Sequence, residues 1–433
     1  MPVAAVPNYL GADFSQASPG LRFGMYLPLW GVNSRTNELL WTTHDINYET
    51  TGPQRQEREK KSENKAAALR NALKLTAADR STVAALVHRQ QALAAPLIAA
   101  RSLYVLDGRS VAPFTTGLGN EHPLENGFAF LNPYGLPYLP GSGVKGVLRR
   151  AARELAKGEW GDTQGWSDTL SYALQIDPRT RVTMSAIDVL FGRETESGDR
   201  EHVRGALSFW DVVPRIEGDA LQVDVMTPHQ THYYQQADSP HESGQPNPIN
   251  FLTVPPGSGF TFHVACDRAF LRRLAPDLAG GDRWQALLDA AFAHAFRWVG
   301  FGAKTAVGYG AMRPDAAAKA RRDSEAKEQE ARRKAEQAER DRRKALAEMS
   351  PTQRAIAEFL DARQDKNTGE IPTLFNALKR GQWNGETKLA VAGHVKTLMQ
   401  QGRKWKERSE KRNPVKDYDH QDTLQVLKWL KGE

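Results

Sequence analysis

From residue 101 onward the chain alternates short β-rich runs with Gly/Pro turns, at 102–106, 127–131, 206–213, 251–254 and 260–265. The last run sets Phe260, Phe262 and Val264 against Thr261 and His263, the period-two pattern of a half-buried strand. Helical periodicity appears at 144–156, where Val144, Val147, Leu148, Ala151, Ala152 and Leu155 share a face. It recurs at 182–191 and at 282–298, where Trp284, Leu287, Leu288, Ala291, Phe292, Ala295 and Phe296 form an apolar stripe. Upstream, residues 54–75 are charged and then Ala-rich, which predicts a helix. Thr76 predicts the cap of a second helix carrying Val83, Leu86, Val87, Leu93 and Leu97 and reaching about Pro96. The pair reads as an insertion near 54–97. Strands and helices mixed at short spacing predict an α+β sandwich.

Residues 315–350 change character. Five acid-before-base pairs at i,i+4 (Asp323–Lys327, Glu328–Arg332, Glu330–Lys334, Glu336–Arg340, Glu339–Arg343) predict a solvated helix. No apolar seam runs along it, so a coiled coil is not expected. Ser350-Pro351 then punctuates the chain. Residues 351–433 read as a small helical module with apolar clusters at 355–360, 374–378, 389–399 and 424–430.

The net charge of +7 sharpens this partition. Residues 1–314 hold 31 Lys+Arg against 31 Asp+Glu, so the whole excess lies in the C-terminal third. A neutral body that bound nucleic acid would depend on loop amides and a few local cations. The lone cysteine, Cys266, excludes an intramolecular disulfide and a Cys-based zinc site, and its apolar neighbours predict a buried strand thiol. No basic apolar leader and no long apolar run is present, so a cytoplasmic location is expected.

Two glycine-rich loops hold the candidate chemistry. The first, Leu-Pro-Gly-Ser-Gly-Val-Lys-Gly-Val-Leu-Arg-Arg at 139–150, feeds a helix N-terminus, where unpaired N–H groups and a positive dipole end suit phosphate. Lys145 and Arg149 add charge beside Ser142 and Gly143. The spacing is not that of a Walker A loop. The second, Gly-Phe-Gly-Ala-Lys-Thr-Ala-Val-Gly-Tyr-Gly at 300–310, offers Gly302, Lys304 and Thr305. Either loop taken alone also has a purely structural reading, since glycine serves first where φ is positive.

Together with what lies between them, the loops resemble a known family. Gly135-Leu-Pro-Tyr-Leu-Pro-Gly-Ser-Gly-Val-Lys-Gly is similar to the signature of the RAMP superfamily of CRISPR-associated RNA-binding proteins, and 300–310 is similar to its late glycine-rich loop. The stretches 116–122, 206–214 and 224–234 narrow the resemblance to the branch that forms the sixth subunit of type III-B (Cmr) effector complexes. It covers roughly 100–312 and does not reach 315–433.

The resemblance implies a ferredoxin-like, RRM-like RAMP domain over 1–314, followed by the charged linker helix (315–350) and the helical module (351–433). It also implies a thumb hairpin near 224–253 that wedges into a guide–target duplex. His229, His232, Tyr233 and Tyr234 fall on that hairpin, where tyrosine rings could stack on bases of any sequence. The implied partners are guide RNA (crRNA), target RNA, the backbone RAMP subunit and the first Cmr subunit, with no membrane. A non-catalytic role, with no cofactor and no metal, is expected. The alternative is a metal-independent endoribonuclease of the same superfamily that processes the guide precursor, for which His229 or His232 would serve as acid or base. Asp211 reads as structural. The two glycine loops are expected to lie side by side and to cradle one strand jointly. The basic stretch 402–416 around Trp405 reads equally as a phosphate or partner patch and as a solvated loop.

Overall fold

The computed structural model describes residues 6–432 except 12, 52–55, 168, 195–201, 228–247 and 364. The chain divides into two compact units, Met1–Arg321 and Arg322–Glu433.

The first unit is built on a four-stranded antiparallel sheet. Its strands are β1 (Leu103–Ser110), β2 (Leu207–Phe209), β5 (Gly259–Cys266) and β6 (Met312–Pro314), in the spatial order β2-β5-β1-β6. A separate two-stranded ribbon pairs β3 (Gln222–Met226) with β4 (Ile249–Thr253). Between β1 and β2 the chain forms α1 (Gly141–Ala156), and between β5 and β6 it forms α2 (Arg283–His294), which packs against α1. The sheet therefore follows a β-α-β-β-α-β order. Phe260, Phe262 and Val264 of β5 are fully buried, and Phe262 meets Phe292, Phe296 and Phe301. That aromatic block joins one continuous core with Val144, Leu148, Ala151 and Leu155 of α1. Cys266 is buried in β5, and burial pushes its thiol up to about 12.

Two expectations fail. Residues 54–75 are not one helix: Gln56–Glu63 is a strand antiparallel to His44–Thr51, and only Lys65–Asn71 is helical. The strand has almost no apolar residues, and cross-strand charge pairs such as Lys60–Glu49 (2.6 Å) take the place of a hydrophobic face. Likewise 182–191 splits into a strand (Arg181–Ser185) and a short helix (Ala186–Phe191) that starts at a Ser185–Asp188 capping box. The helix capped by Thr76 does form, over Ala77–Ala99, with Asp79 completing a capping box.

In the second unit, helices Pro351–Ala362, Glu370–Lys379, Gly385–Gln401 and Tyr418–Leu430 enclose a core of Ile356, Leu374, Leu378, Val391, Val395, Met399, Val426 and Trp429. Between the sheet and these helices the chain is continuously helical over Ala316–Glu348, roughly 50 Å at 1.5 Å per residue. Of the expected acid–base pairs along it, Glu330–Lys334 and Glu339–Arg343 are formed, each at 2.7 Å. No described helix is long and apolar enough to cross a membrane.

Candidate nucleic-acid interface

The first glycine loop makes the start of α1. Gly141 lies so close to β2 that a Cβ there would sit 2.2 Å from the Phe209 carbonyl oxygen, so only glycine lets the helix begin at this point. Its N–H donates to Asp211 Oδ1 at 2.7 Å. The aspartate therefore caps the helix from across the β2 edge and occupies one of the amides that an anion would otherwise take. The first helical bond runs from the Val144 N–H to the Pro140 carbonyl. The N–H groups of Ser142 and Gly143 precede it and stay available at the positive end of the helix.

Ser142 opens onto a cleft of about 480 Å³, which it lines with Lys145 on one side and Arg193, His202 and Arg204 on the other. Lys145 is half-buried and makes no ion pair among the described residues. Arg204 Nη2 donates to Ser208 Oγ at 3.1 Å, and Arg193 Nη1 donates to the Thr183 carbonyl at 2.9 Å; these bonds aim both guanidinium groups. Among the described residues the acid lining the cleft is Glu194, which is paired with Arg149 at 3.2 Å. Among the described residues, Ser142 at the helix start, an ammonium without an ion pair and the guanidinium groups of Arg193 and Arg204 line a recess suited to phosphate oxygens.

Arg149 corrects the sequence reading. Its side chain is 11% exposed and reaches Asp188 at 3.9 Å as well as Glu194. It ties α1 to the helix Ala186–Phe191 and leaves no free charge for a ligand.

The second loop is built differently. Gly302 has φ +90°, and a Cβ there would meet the Thr115 carbonyl oxygen at 2.2 Å. Loop amides close inward: Ala303 donates to Thr115, Phe301 to Gly310, and Gly310 to Pro113. Lys304, itself at φ +60°, sends its ammonium to Met226 Sδ (3.3 Å) and over the Phe251 ring (5.4 Å). Tyr309 donates to Asp224, and burial together with that bond pushes its phenol up to about 12. Thr305 turns its methyl toward Gly300. Lys304 and Tyr309 thus grip the root of the β3–β4 ribbon. The candidate residues His229, His232, Tyr233 and Tyr234 lie outside the described residues.

The loops are not side by side. Gly141 abuts Phe209 and Trp210 at the β2 edge, level with Val264 and Tyr104, whereas the second loop leads to Met312, opposite Ser110 at the β6 edge. Three strand spacings across and about six residues along the strands put the sheet positions beside Gly141 and Met312 on the order of 20 to 25 Å apart. Each faces its own surroundings, and none of the second loop lines the cleft.

The described histidines are spread among structural partners. His122 donates Nε2–H to the Phe23 carbonyl (2.9 Å) and accepts the Leu124 N–H (3.1 Å); burial pushes its pKa down. His263 stacks on Trp210, and His294 meets Glu154 at 2.8 Å beneath Trp160. No metal-ligand cluster occurs among the described residues. Arg193 and Arg204 went unseen in the sequence because they reach the cleft on a two-stranded pair, Gly192–Arg193 with Val203–Arg204, some distance along the chain from Lys145; His202 precedes its second strand.

Residues 109–313, which carry both helices and the cationic recess, match the family model of the RAMP superfamily. The chain is similar to the CRISPR system Cmr subunit Cmr6 of Pyrococcus furiosus, with 29% identity over 248 residues that cover 49% of this chain and 68% of the relative. Among solved structures it is similar to a chain of the type III-B Cmr-beta complex bound to cognate target RNA, at 20% identity and a TM-score of 0.38, covering 58% of this chain and 69% of that one. It is also similar to the crystal structure of Cmr6 from Pyrococcus furiosus, at 23% identity and a TM-score of 0.25, covering 49% and 98%.

Proposed function

We propose that this chain is a non-catalytic RNA-binding subunit of a type III-B CRISPR effector complex. In this reading its body is a ferredoxin-like RAMP domain that caps the backbone filament at the 3′ region of the guide RNA and contributes to target binding. The strand order β2-β5-β1-β6 within a β-α-β-β-α-β chain supports the ferredoxin-like description. In this reading the partners are guide RNA, target RNA, the backbone RAMP subunit and the first Cmr subunit; the similarity to a Cmr subunit supports membership in such a complex.

The observation that supports the reading is Lys145, without an ion pair among the described residues, beside Ser142 at the helix start in a cleft shared with Arg193 and Arg204. Such a set holds backbone phosphates and reads no base, as a guide whose sequence varies requires. Lys304 acts at one remove, holding the ribbon root so that the β3–β4 ribbon projects in a fixed direction. The thumb segment 224–253 inserts beside bases, and Tyr233 and Tyr234 supply rings for stacking. In a charge-neutral body, affinity comes from these local groups and from neighbouring subunits.

The test is affinity capture of the tagged chain from its native host. Guide RNA and further CRISPR subunits are expected in the eluate. Recovery of neither overturns the reading. Metal-independent cutting of repeat-containing RNA by the purified chain, abolished in His229→Ala or His232→Ala, would replace it with the endoribonuclease alternative.

A further inference from the structure

The match to the RAMP family model ends at residue 313, and the chain's excess positive charge lies beyond it. Within the second unit that charge concentrates in 402–416, a stretch with seven Lys/Arg against two acids. The stretch has little regular structure but is pinned in place. Lys404 N–H bonds the Met399 carbonyl at 2.8 Å, Lys406 N–H bonds Thr423 Oγ1 at 3.0 Å, and His420 Nδ1 meets the Lys406 carbonyl at 2.8 Å. Buried Asp417 accepts from Ser409 Oγ (3.1 Å) and from the Glu410 N–H (3.2 Å). Trp405 does not face outward for a ligand: it packs against the module core, with the Lys396 ammonium 5.4 Å from its ring centroid.

This scaffold leaves a set of side chains unspent. Arg403, Arg408, Arg412 and Lys416 are exposed and make no side-chain hydrogen bond or ion pair among the described residues. The charged linker helix contrasts with them, since several of its cations pair with acids one turn away. Immediately after buried Asp417 comes Tyr418, which is 77% exposed and has no ring contact among the described residues. A pinned loop that carries spare cations and ends at an open aromatic ring suits a single-stranded polynucleotide, with phosphates on the cations and a base on the ring. An acidic protein would use the cations but would leave the ring idle.

We propose that the 402–418 surface of the C-terminal unit is a second, sequence-independent binding site for single-stranded RNA, separate from the cleft at Lys145. The site is a phosphate-and-stacking platform, and its groups do not overlap with those of the RAMP domain.

The test uses the full chain and fluorescein-labelled oligouridylate, read by anisotropy across a salt series. Arg403→Ala, Arg408→Ala, Arg412→Ala and Lys416→Ala combined should flatten the plot of log K against log salt by about 3, at roughly 0.7 per lost phosphate contact on a single strand. Tyr418→Ala should weaken binding about tenfold, and Tyr418→Phe should leave it unchanged. The arginine positions changed to lysine should keep most of the slope, which separates lost charge from a misfolded module. Wild-type affinity and slope in the fourfold alanine variant overturn the proposal. Loss of a co-purifying protein with RNA binding intact also overturns it and makes the surface a protein contact. A loss seen only in Lys145→Ala overturns it while leaving the reading of the body standing.

Discussion

The two glycine-rich loops look alike as strings of residues and do different work. In the first, glycine at 141 lets a helix start hard against β2, and the amides that follow are left open beside Lys145. In the second, glycine at 302 lets the chain fold onto the Thr115 carbonyl, the amides are consumed within the fold, and the lysine is turned onto Met226 and Phe251. A lysine among glycines therefore marks an anion site only where the neighbouring N–H groups lack carbonyl partners. The difference lies in where the backbone donors go, and composition does not encode that.

The largest effect that would sharpen this contrast is on stability. Gly302→Ala forces a side chain onto a residue at φ +90° and against a backbone oxygen, and should cost about 3 kcal/mol or more, read by chemical denaturation. Gly143→Ala meets nothing nearer than Leu139 Cδ1 at 3.3 Å and should be neutral or stabilise the helix by up to about 1 kcal/mol. Equal losses at both positions would erase the distinction.

Next comes the cap. Asp211→Ala removes the acceptor for the Gly141 N–H and should cost about 1 kcal/mol. It also removes a negative charge from the end of α1 and frees a third amide, so RNA should bind the variant at least as tightly as the wild type. A stability loss accompanied by weaker RNA binding would mean that Asp211 serves the site and not only the helix.

The smallest effect is acid sensitivity. His122 lies on the segment that supplies the Pro113 and Thr115 carbonyls to the second loop, and burial holds its pKa below the ordinary value near 6.5. The unfolded chain then binds the proton more readily than the folded one. Stability is full above about pH 6.5 and is lost as pH falls through that value toward the lowered folded pKa. Thermal melts across this range should show the decline, and His122→Gln should flatten it. An unchanged slope in His122→Gln would place the titration elsewhere.

How much of this was readable beforehand depended on side-chain pattern. The apolar face of Val144, Leu148, Ala151 and Leu155 announced α1, and the Phe260–Val264 alternation announced β5, because each buries one face against the same core. Thr76 and Asp79 marked a helix start through local hydrogen bonds alone. The strand Gln56–Glu63 was misread because it buries almost nothing, and its partner strand determines its form. Lys145 was legible as a candidate, but Arg193 and Arg204 were not, since the fold brings them to the cleft from a distant strand pair. Arg149 was misjudged for the converse reason: its acids, Asp188 and Glu194, sit on elements that only tertiary packing brings near.

The most direct test of the central claim compares lysines in the two loops. Binding of single-stranded RNA to the wild type, Lys145→Ala and Lys304→Ala is followed across a salt series. Lys145→Ala is predicted to bind more weakly and to flatten the log K against log salt slope by about 0.7, while Lys304→Ala keeps the wild-type slope. A flattened slope in Lys304→Ala, with Lys145→Ala indistinguishable from wild type, would contradict the account.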